Sequence, residues 1–275
     1  MKLSIKQAKQ WLTKELDGVT DSPVFEATEL LTFVTNEDKN SLRFGENKIL
    51  SPKQILKLKR CLKKRKKGVP LQYILGEWEF YSAPFLVGSG VLIPRADSEL
   101  LVDLALEEIS EKSTPKVFDL CSGSGAIGIS VAINCKLAEV TLVEKSKKAF
   151  KYLLKNSKLN KVKVKAVCAD ISNWESDTKA DLILCNPPYI TKEEMRDLQK
   201  EVKKEPAMAL FGGDDGLKFY RLLSIRAREL LVSGGKIFME IGFKQGKKVQ
   251  ELFQSAFPTA LPSAGSRGTP RAPLL

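Results

Sequence analysis

The second half of the chain alternates short apolar segments with longer amphipathic ones, and this pattern constrains the fold more than any other feature. The apolar segments, predicted to be strands, are 117–120, 140–144, 162–168, 182–185 and 237–241. The segments predicted to be helices are 126–134, 146–158, 191–202, 217–231 and 245–253. Short buried strands that alternate with helices form a mainly parallel sheet with helices on both faces. We therefore predict an α/β fold.

The whole chain divides into four predicted regions, one of which is the α/β domain. Residues 1–68 are typical of a small helical domain, in which Ser51 and Pro52 begin a helix that ends before Gly68. Residues 69–94, rich in aromatic and β-branched side chains and interrupted by glycine and proline, predict a hairpin linker. A helix capped by Asp97 begins the α/β domain, 95–256. Residues 257–275 have no strand pattern and predict a disordered tail.

Composition limits the chemistry that is open to the chain. The 275 residues include no histidine, which excludes catalytic histidines and histidine metal ligands, and we predict no metal site. The five cysteines are scattered and favour reduced thiols in a cytoplasmic protein. No apolar run is long enough for a membrane span, and the first residues are not typical of a secretory signal. The formal net charge of +12 favours a function close to polyanions such as nucleic acid or the ribosome.

Residues 117–128, VFDLCSGSGAIG, combine an apolar strand, a glycine turn and a helix. Glycine lets the backbone approach a ligand closely, and the start of the helix offers unpaired N–H groups. Glu144 ends the next strand, where a carboxylate can accept hydrogen bonds from both ribose hydroxyls. Alone, the motif indicates a cofactor that contains adenosine, which could be a dinucleotide. The alternative is a tight turn without a ligand.

The tetrapeptide Asn186-Pro187-Pro188-Tyr189 directly follows the strand 182–185 and is the sharper signal. The prolines fix the backbone and leave carbonyl groups free to accept hydrogen bonds. The side-chain oxygen of Asn186 and the carbonyl of Pro187 could each accept one N–H of an amino group on a planar system. Tyr189 offers a flat face for stacking. The alternative is a proline loop that merely caps a strand.

These two motifs resemble those of class I S-adenosylmethionine (SAM) methyltransferases that act on planar nitrogens. Further segments are similar to those of one family, the PrmC/HemK protein-(glutamine-N5) methyltransferases of peptide chain release factors. These segments are 70–76 with 79–80, 92–99, 205–213 and 240–242 with Gln245. The resemblance runs from about residue 5 to residue 250. It implies a Rossmann-like methyltransferase domain, a helical domain that helps to dock the release factor, and transfer of methyl to the glutamine of a Gly-Gly-Gln motif.

The resemblance also implies roles for individual residues. The SAM-binding residues would be Cys121, Ser122, Gly123, Ser124, Gly125, Glu144, Asp170, Ile171 and Asn186. Substrate would be bound by Asn186, Pro187, Pro188 and Tyr189, of which Asn186, Pro187 and Tyr189 would be catalytic. Arg95 and Glu99 belong to a motif that lines the cofactor cleft in the family.

Three departures from the family pattern stand out. Cys121 occupies a position where the family usually has glycine, and its Cβ is expected to crowd the cofactor. Ala96 and Ser98 replace proline and threonine. Nothing after Gln254 resembles the family's final two antiparallel strands, and we expect the sheet to lack them.

Other functions remain open at this point. The positive charge and the lysine-rich stretch 59–67 would suit a nucleic-acid amino-methyltransferase acting on adenine N6 or cytosine N4, or a transient contact with the ribosome. The stretch could equally be a solvated helix end. The altered C-terminus would suit a SAM-binding homologue with impaired catalysis. A dehydrogenase that uses NAD would leave the proline tetrapeptide unexplained.

Overall fold

The computed structural model of the protein describes residues 2–257. They form two compact units. The first comprises the residues up to Gly76 together with Lys200–Lys204, and the second comprises Glu77–Gln199 and the residues from Glu205 onward. Within the described residues, no helix combines the length and the apolar character needed to cross a membrane.

The first unit is helical. Its helices are α1 (Ile5–Leu16), α2 (Pro23–Thr35), α3 (Lys39–Phe44), α4 (Pro52–Lys66) and α5 (Leu71–Leu75). Capping boxes begin α1 and α4, so that Ser51 and the third residue of α4 satisfy each other's backbone N–H groups. Leu12, Leu30 and Leu58 are fully buried where the helices meet. The prediction that Ser51 and Pro52 begin a helix is confirmed.

The prediction of a hairpin from residue 69 onward is wrong for its first part, because 71–75 is the helix α5. Leu71 and Ile74 turn their side chains into the core of the helical unit. Gly76 ends the helix with a positive φ of 84°, a conformation that suits glycine. Burial of the two apolar side chains therefore outweighs the β-branched and aromatic character of the segment.

A buried ion cluster joins distant parts of the chain within the helical unit. The guanidinium of Arg65 donates to the carboxylate of Glu26 at 2.7 and 3.0 Å. The terminal nitrogen that donates to Glu26 at 3.0 Å, Nη2, also lies 2.6 Å from the carboxylate of Glu201, which belongs to the segment Lys200–Lys204. Arg65 is almost completely buried, so two carboxylates compensate for the loss of its hydration.

The second unit begins with the antiparallel hairpin of β1 (Glu77–Phe80) and β2 (Ala83–Leu86). A short 3-10 turn, Ala96–Ser98, leads into α6 (Glu99–Ile109). The prediction that Asp97 caps this helix is wrong. Asp97 lies inside the 3-10 turn, and Ser98 is the residue that precedes the helix.

The main sheet of the second unit has five parallel strands. In chain order its elements are β3 (Lys116–Leu120), α7 (Ala126–Asn134), β4 (Glu139–Val143), α8 (Lys147–Leu159), β5 (Lys165–Val167), β6 (Ala180–Cys185), α9 (Glu194–Asp197), α10 (Lys218–Leu230), β7 (Leu231–Met239) and α11 (Gly246–Ala256). The strand order is β5-β4-β3-β6-β7. One face packs against α6, α7 and α8, and the other against α10 and α11. The predicted parallel sheet, covered on both faces, is confirmed.

The helix predicted at 191–202 is wrong. Only α9 and a 3-10 turn, Val202–Lys204, form there. Glu201 forms an ion pair with Arg65, and the backbone of Ile190 forms a β-bridge with Phe211. These tertiary contacts override the helix propensity of the segment. No strand follows β7 before residue 257. The predicted tail, 257–275, lies outside the described residues except for Phe257.

Candidate active site

The register of the three central strands brings their carboxyl ends level. Leu120 of β3 lies opposite Val143 of β4 on one side and Cys185 of β6 on the other. The strand order reverses at β3, and in such sheets ligands bind outside the carboxyl ends at this point. The residues that come next along the three strands are Cys121, Glu144 and Asn186.

The loop after β3, residues 121–125, is called the glycine loop below. Cys121, Gly123 and Gly125 all have positive φ, of 60°, 57° and 81°. Ser122 supports the loop from beneath, since its hydroxyl donates to the carbonyl of Asp119 at 2.6 Å. A Cβ built on Gly123 would meet nothing within 4 Å, so the backbone there borders open space. The loop therefore leaves room for a ligand against its backbone.

Glu144 links the glycine loop to the end of β4. Its carboxylate accepts the backbone N–H of Gly123 at 2.8 Å and that of Ser146 at 2.5 Å. Burial raises the pKa of Glu144 above its usual value, while these N–H groups oppose the rise. A carboxylate has about four acceptor positions, so Glu144 retains capacity for further donors.

Asp170 and Ile171 follow β5 on the far side of Glu144. The ammonium group of Lys145, 2.6 Å from Asp170, holds the pKa of that carboxyl down at about 2. Ile171 is buried. An ionised carboxylate beside an apolar side chain suits a planar heterocycle that carries an amino group.

The loop after β6, residues 186–189, is called the proline loop. The side-chain nitrogen of Asn186 donates to a carboxylate oxygen of Glu240 at 2.7 Å and to the hydroxyl of Ser98 at 3.0 Å. The nitrogen of the Asn186 amide is thus engaged by two acceptors, which leaves the side-chain oxygen as the group that can accept from a ligand. Asn186 is one of the residues that line the pocket described below.

Tyr189 forms hydrogen bonds through both its own side chain and its own backbone. Its hydroxyl donates to the second carboxylate oxygen of Glu240 at 3.1 Å, and its carbonyl accepts from the amide of Gln245 at 2.9 Å. Burial and the charge of Glu240 raise the pKa of the phenol well above its usual value. Tyr189 is thus a neutral donor whose hydroxyl is already engaged.

One pocket of the second unit gathers most of the predicted site residues. Those that line it are Cys121, Gly123, Glu144, Asp170, Ile171, Asn186 and Pro188. The predicted residues that do not line it are Ser122, Ser124, Gly125, Pro187 and Tyr189. Ser122 and Ser124 belong to the glycine loop, but their side chains are buried.

Arg95 and Glu99 do not line this pocket either. Arg95 forms an ion pair with Glu205, and Glu99 accepts the backbone N–H of Tyr81 at 2.9 Å. Glu205 also accepts the N–H of Ile93 at 3.0 Å. Arg95 and Glu99 thus bind partners outside the lining residues, while Leu92 of the same motif does line the pocket, and the role of the motif in the cofactor cleft stays a prediction.

Several lining residues were not among the predicted site residues. The segment after β2, the segment before α10 and α10 itself contribute them, namely Gly90, Val91, Leu92, Pro206, Met208, Ala209 and Phe219. Glu240 and Ser98 were noted only as parts of a resemblance, although both contact Asn186. One signal was available for Glu240, because a lone acid at the carboxyl end of an apolar strand is costly to bury without a partner.

Two family models match the chain. A family model described as the PrmC N-terminal domain matches residues 7–76, and one described as the methyltransferase small domain matches residues 97–213. A release factor glutamine methyltransferase of Thermodesulfovibrio yellowstonii is 39% identical over 231 residues, which cover 82% of each chain. The chain belongs to the release factor glutamine methyltransferase family.

A second member of this family, from Fusobacterium nucleatum, is 40% identical over 237 residues, which cover 85% of this chain and 67% of that protein. Among solved structures, the catalytic domain of human Mettl16 in complex with an RNA hairpin aligns with a TM-score of 0.55 and 12% identity, over 83% of each chain. At this identity the likeness shows the fold alone. The second unit thus has the class I methyltransferase fold.

Proposed function

We propose that the protein transfers a methyl group from SAM to the side-chain amide nitrogen of the glutamine in the Gly-Gly-Gln motif of class 1 peptide chain release factors. Family membership gives the reaction class. The observation that supports the proposal is the engagement of the Asn186 side-chain nitrogen by Glu240 and Ser98, which leaves the side-chain oxygen of this pocket-lining residue as the atom that would accept from substrate. A carboxamide nitrogen offers two N–H donors that suit such an acceptor.

The cofactor half of the site would be the glycine loop, Glu144, Asp170 and Ile171. The open space at Gly123 and the spare acceptor capacity of Glu144 support this assignment. Glu144 would accept the ribose hydroxyls, and Asp170 and Ile171 would border the adenine. When bound, SAM supplies an electrophilic methyl group on a positively charged sulfur.

The acceptor half would be the proline loop. The side-chain oxygen of Asn186 and the carbonyl of Pro187 would each accept one N–H of the glutamine amide, while Pro188 and Tyr189 complete the clamp. Accepting both hydrogens raises the electron density on a weakly nucleophilic nitrogen and stabilises the positive charge that develops there. Transfer would form a nitrogen–carbon bond and break the sulfur–carbon bond, and the nitrogen would then release one proton to water. Orientation supplies most of the acceleration.

Incorporation of a labelled methyl group tests the proposal directly. The purified protein is incubated with methyl-labelled SAM and a release factor, or with the same factor carrying alanine in place of the motif glutamine. Label on the first factor alone, located on the glutamine by mass spectrometry, is expected. Label only on DNA or RNA added in parallel would favour a nucleic-acid amino-methyltransferase. SAM binding without transfer to any of them would favour an impaired homologue.

The helical unit is proposed to help dock the release factor, with 1–68 as the docking domain, 69–94 as the linker and 95–256 as the methyltransferase domain. Its most charged element is α4. Lys59, Arg60, Lys63 and Lys64 are exposed there, and none forms an ion pair within residues 2–257. We propose that this basic face makes transient contacts with the phosphates of nucleic acid or the ribosome.

A matched pair of variants tests the basic face. Replacing these four residues of α4 by glutamine should weaken RNA binding and flatten its salt dependence by up to four counterions. The control replaces four exposed lysines of α8 by glutamine, namely Lys147, Lys151, Lys155 and Lys158. Equal losses in both variants would indicate only a general effect of net charge.

Because the proposed partners belong to translation, we propose that the protein acts in the cytoplasm.

A further inference from the structure

Glu240 lies where β7 ends, beside the proline loop. Cys185 of β6 pairs with Met239 of β7, so Asn186 and Glu240 follow at the same level of the sheet. The side chain of Glu240 is buried, with only 3% of the residue exposed. A buried carboxylate is costly unless donors surround it, and here three side chains donate to it.

The donors are divided between the two carboxylate oxygens. One oxygen accepts from the hydroxyl of Ser98 at 2.5 Å and from the amide nitrogen of Asn186 at 2.7 Å. The other accepts from the hydroxyl of Tyr189 at 3.1 Å. Both side chains of the proline loop that carry polar groups are therefore bound to a single carboxylate.

This arrangement decides which end of the Asn186 amide faces the pocket. An amide has a donor end and an acceptor end of nearly the same shape, so packing alone does not distinguish them. Only an acceptor behind Asn186 selects the orientation in which the nitrogen points inward and the oxygen points to the pocket. Glu240 supplies that acceptor directly, and it also fixes the hydroxyl of Ser98, which accepts from the same nitrogen at 3.0 Å.

We propose that Glu240 is a positioning residue for methyl transfer, which holds Asn186 with its oxygen toward the acceptor nitrogen and anchors Tyr189 at the same time. The inference rests on the proposed function, in which Asn186 is the group that meets the substrate. Glu240 itself does not line the pocket. Its effect on the reaction passes through Asn186 and Tyr189.

The variants follow from the geometry. Glu240→Gln keeps an oxygen for Asn186 and turns its amide nitrogen to Tyr189, whose hydroxyl can accept as well as donate. Glu240→Leu fills the same space without an acceptor and frees the Asn186 amide to turn over. Tyr220→Phe is the matched control. It removes a buried hydrogen bond of 3.1 Å to the backbone carbonyl of Glu240 and leaves the carboxylate in place.

Steady-state kinetics with a release factor separate positioning from stability. For Glu240→Leu we expect kcat to fall about 100-fold, the effect of a small misplacement at a reacting centre, with the KM for SAM within about threefold of the wild type. Glu240→Gln should recover kcat to within about tenfold, and Tyr220→Phe should lose thermal stability but keep kcat. A kcat for a folded Glu240→Leu protein that matches the Tyr220→Phe control would overturn the proposal.

A double-mutant cycle tests whether Glu240 acts through Asn186. If it does, Glu240→Leu should lower kcat no more than about threefold further once Asn186 is alanine. Losses that multiply in full would mean that the two residues act independently, which contradicts the inference.

A further measurement does not depend on the substrate. In NMR spectra of the wild type and Glu240→Gln, the side-chain NH2 of Asn186 should exchange slowly with water, and in Glu240→Leu as fast as an exposed asparagine. Slow exchange in all three proteins would overturn the inference, whatever the release factor assay gives. Failure of the wild type to methylate any release factor, with the expected exchange pattern, would instead count against the proposed function alone.

Discussion

The glycine loop and the proline loop lie at the ends of adjacent strands, and they are fixed in different ways. The glycine loop is held mainly through its backbone, by positive φ angles and by the N–H of Gly123, which donates to Glu144. In the proline loop, side chains from distant segments hold Asn186 and Tyr189, namely Ser98, Glu240 and Gln245. The cofactor side is thus specified locally, whereas the acceptor side depends on the assembled fold.

The difference between the two loops predicts which property a substitution in each should change. Changes in the glycine loop should alter the affinity for the cofactor and the stability of the second unit. Changes in the proline loop or its support should alter turnover and leave cofactor affinity nearly constant.

The largest effect is expected for Asn186→Ala. Loss of a group that stabilises charge on the reacting nitrogen should lower kcat by about 10²–10³-fold. The Kd for SAM, measured by calorimetry, should change by no more than about threefold, because Glu144 and the glycine loop remain. Equal losses in kcat and in SAM affinity would remove the distinction between the two loops.

Glu144→Ala should show the opposite pattern. Hydrogen bonds to a charged group contribute about 1.5–3 kcal/mol, so the Kd for SAM should rise by about 10- to 100-fold. At saturating SAM, kcat should stay close to that of the wild type. Glu139→Ala, at the exposed start of the same strand, is the control and should leave the Kd unchanged. A strong fall in kcat at saturation would contradict the local character of the cofactor side.

Asp119 lies beneath the glycine loop and makes stability depend on pH. Burial raises the pKa of its carboxyl to about 7, and one of its oxygens has no hydrogen-bond partner. Between pH 4 and 7 the unfolded chain loses this proton while the folded protein keeps it. The free energy of unfolding should therefore fall as pH rises through this window, by about 4 kcal/mol, and then level off.

Asp119→Asn keeps an acceptor for the N–H of Gly128, which lies 2.9 Å from the carboxylate, and carries no charge. Urea denaturation from pH 5 to 8 should give a difference between wild type and variant that changes with pH in the stated direction. A difference that is constant over this range would show that Asp119 does not titrate there.

The smallest effect is expected for Cys121→Gly. A residue with a side chain at a positive φ costs roughly 1 kcal/mol, part of which glycine returns as greater freedom of the unfolded chain. We expect the melting temperature to rise by up to about 3 °C and SAM to bind several-fold more tightly. Cys121→Ala, which keeps the Cβ, is the control. An equal gain in the alanine variant would assign the effect to the thiol rather than to the backbone.

The sequence predicted the parallel sheet, most of its helices and the residues at three strand ends, because periodicity and glycine positions are local signals. It did not predict the support of the proline loop. Ser98 and Glu240 are 142 positions apart, and no local pattern brings them to Asn186. The predicted helix at 191–202 failed for the same reason, since Glu201 is held by a partner far away in the chain.

The roles assigned to individual site residues remain predictions of the resemblance. The structure brings Glu144, Asp170 and Asn186 to one pocket. In the structure, the hydroxyl of Tyr189 donates a hydrogen bond to Glu240. A stacking role for the ring would therefore have to use its face alone.

The ion cluster of Arg65 has a consequence for chimeric proteins. Arg65 takes one of its two carboxylate partners from Glu201, well over a hundred positions beyond Gly76. A graft of the N-terminal segment onto a relative's methyltransferase domain would leave the guanidinium with half of its counter-charge. Domain exchange within the family should succeed only when the short stretch around Glu201 travels with its helices.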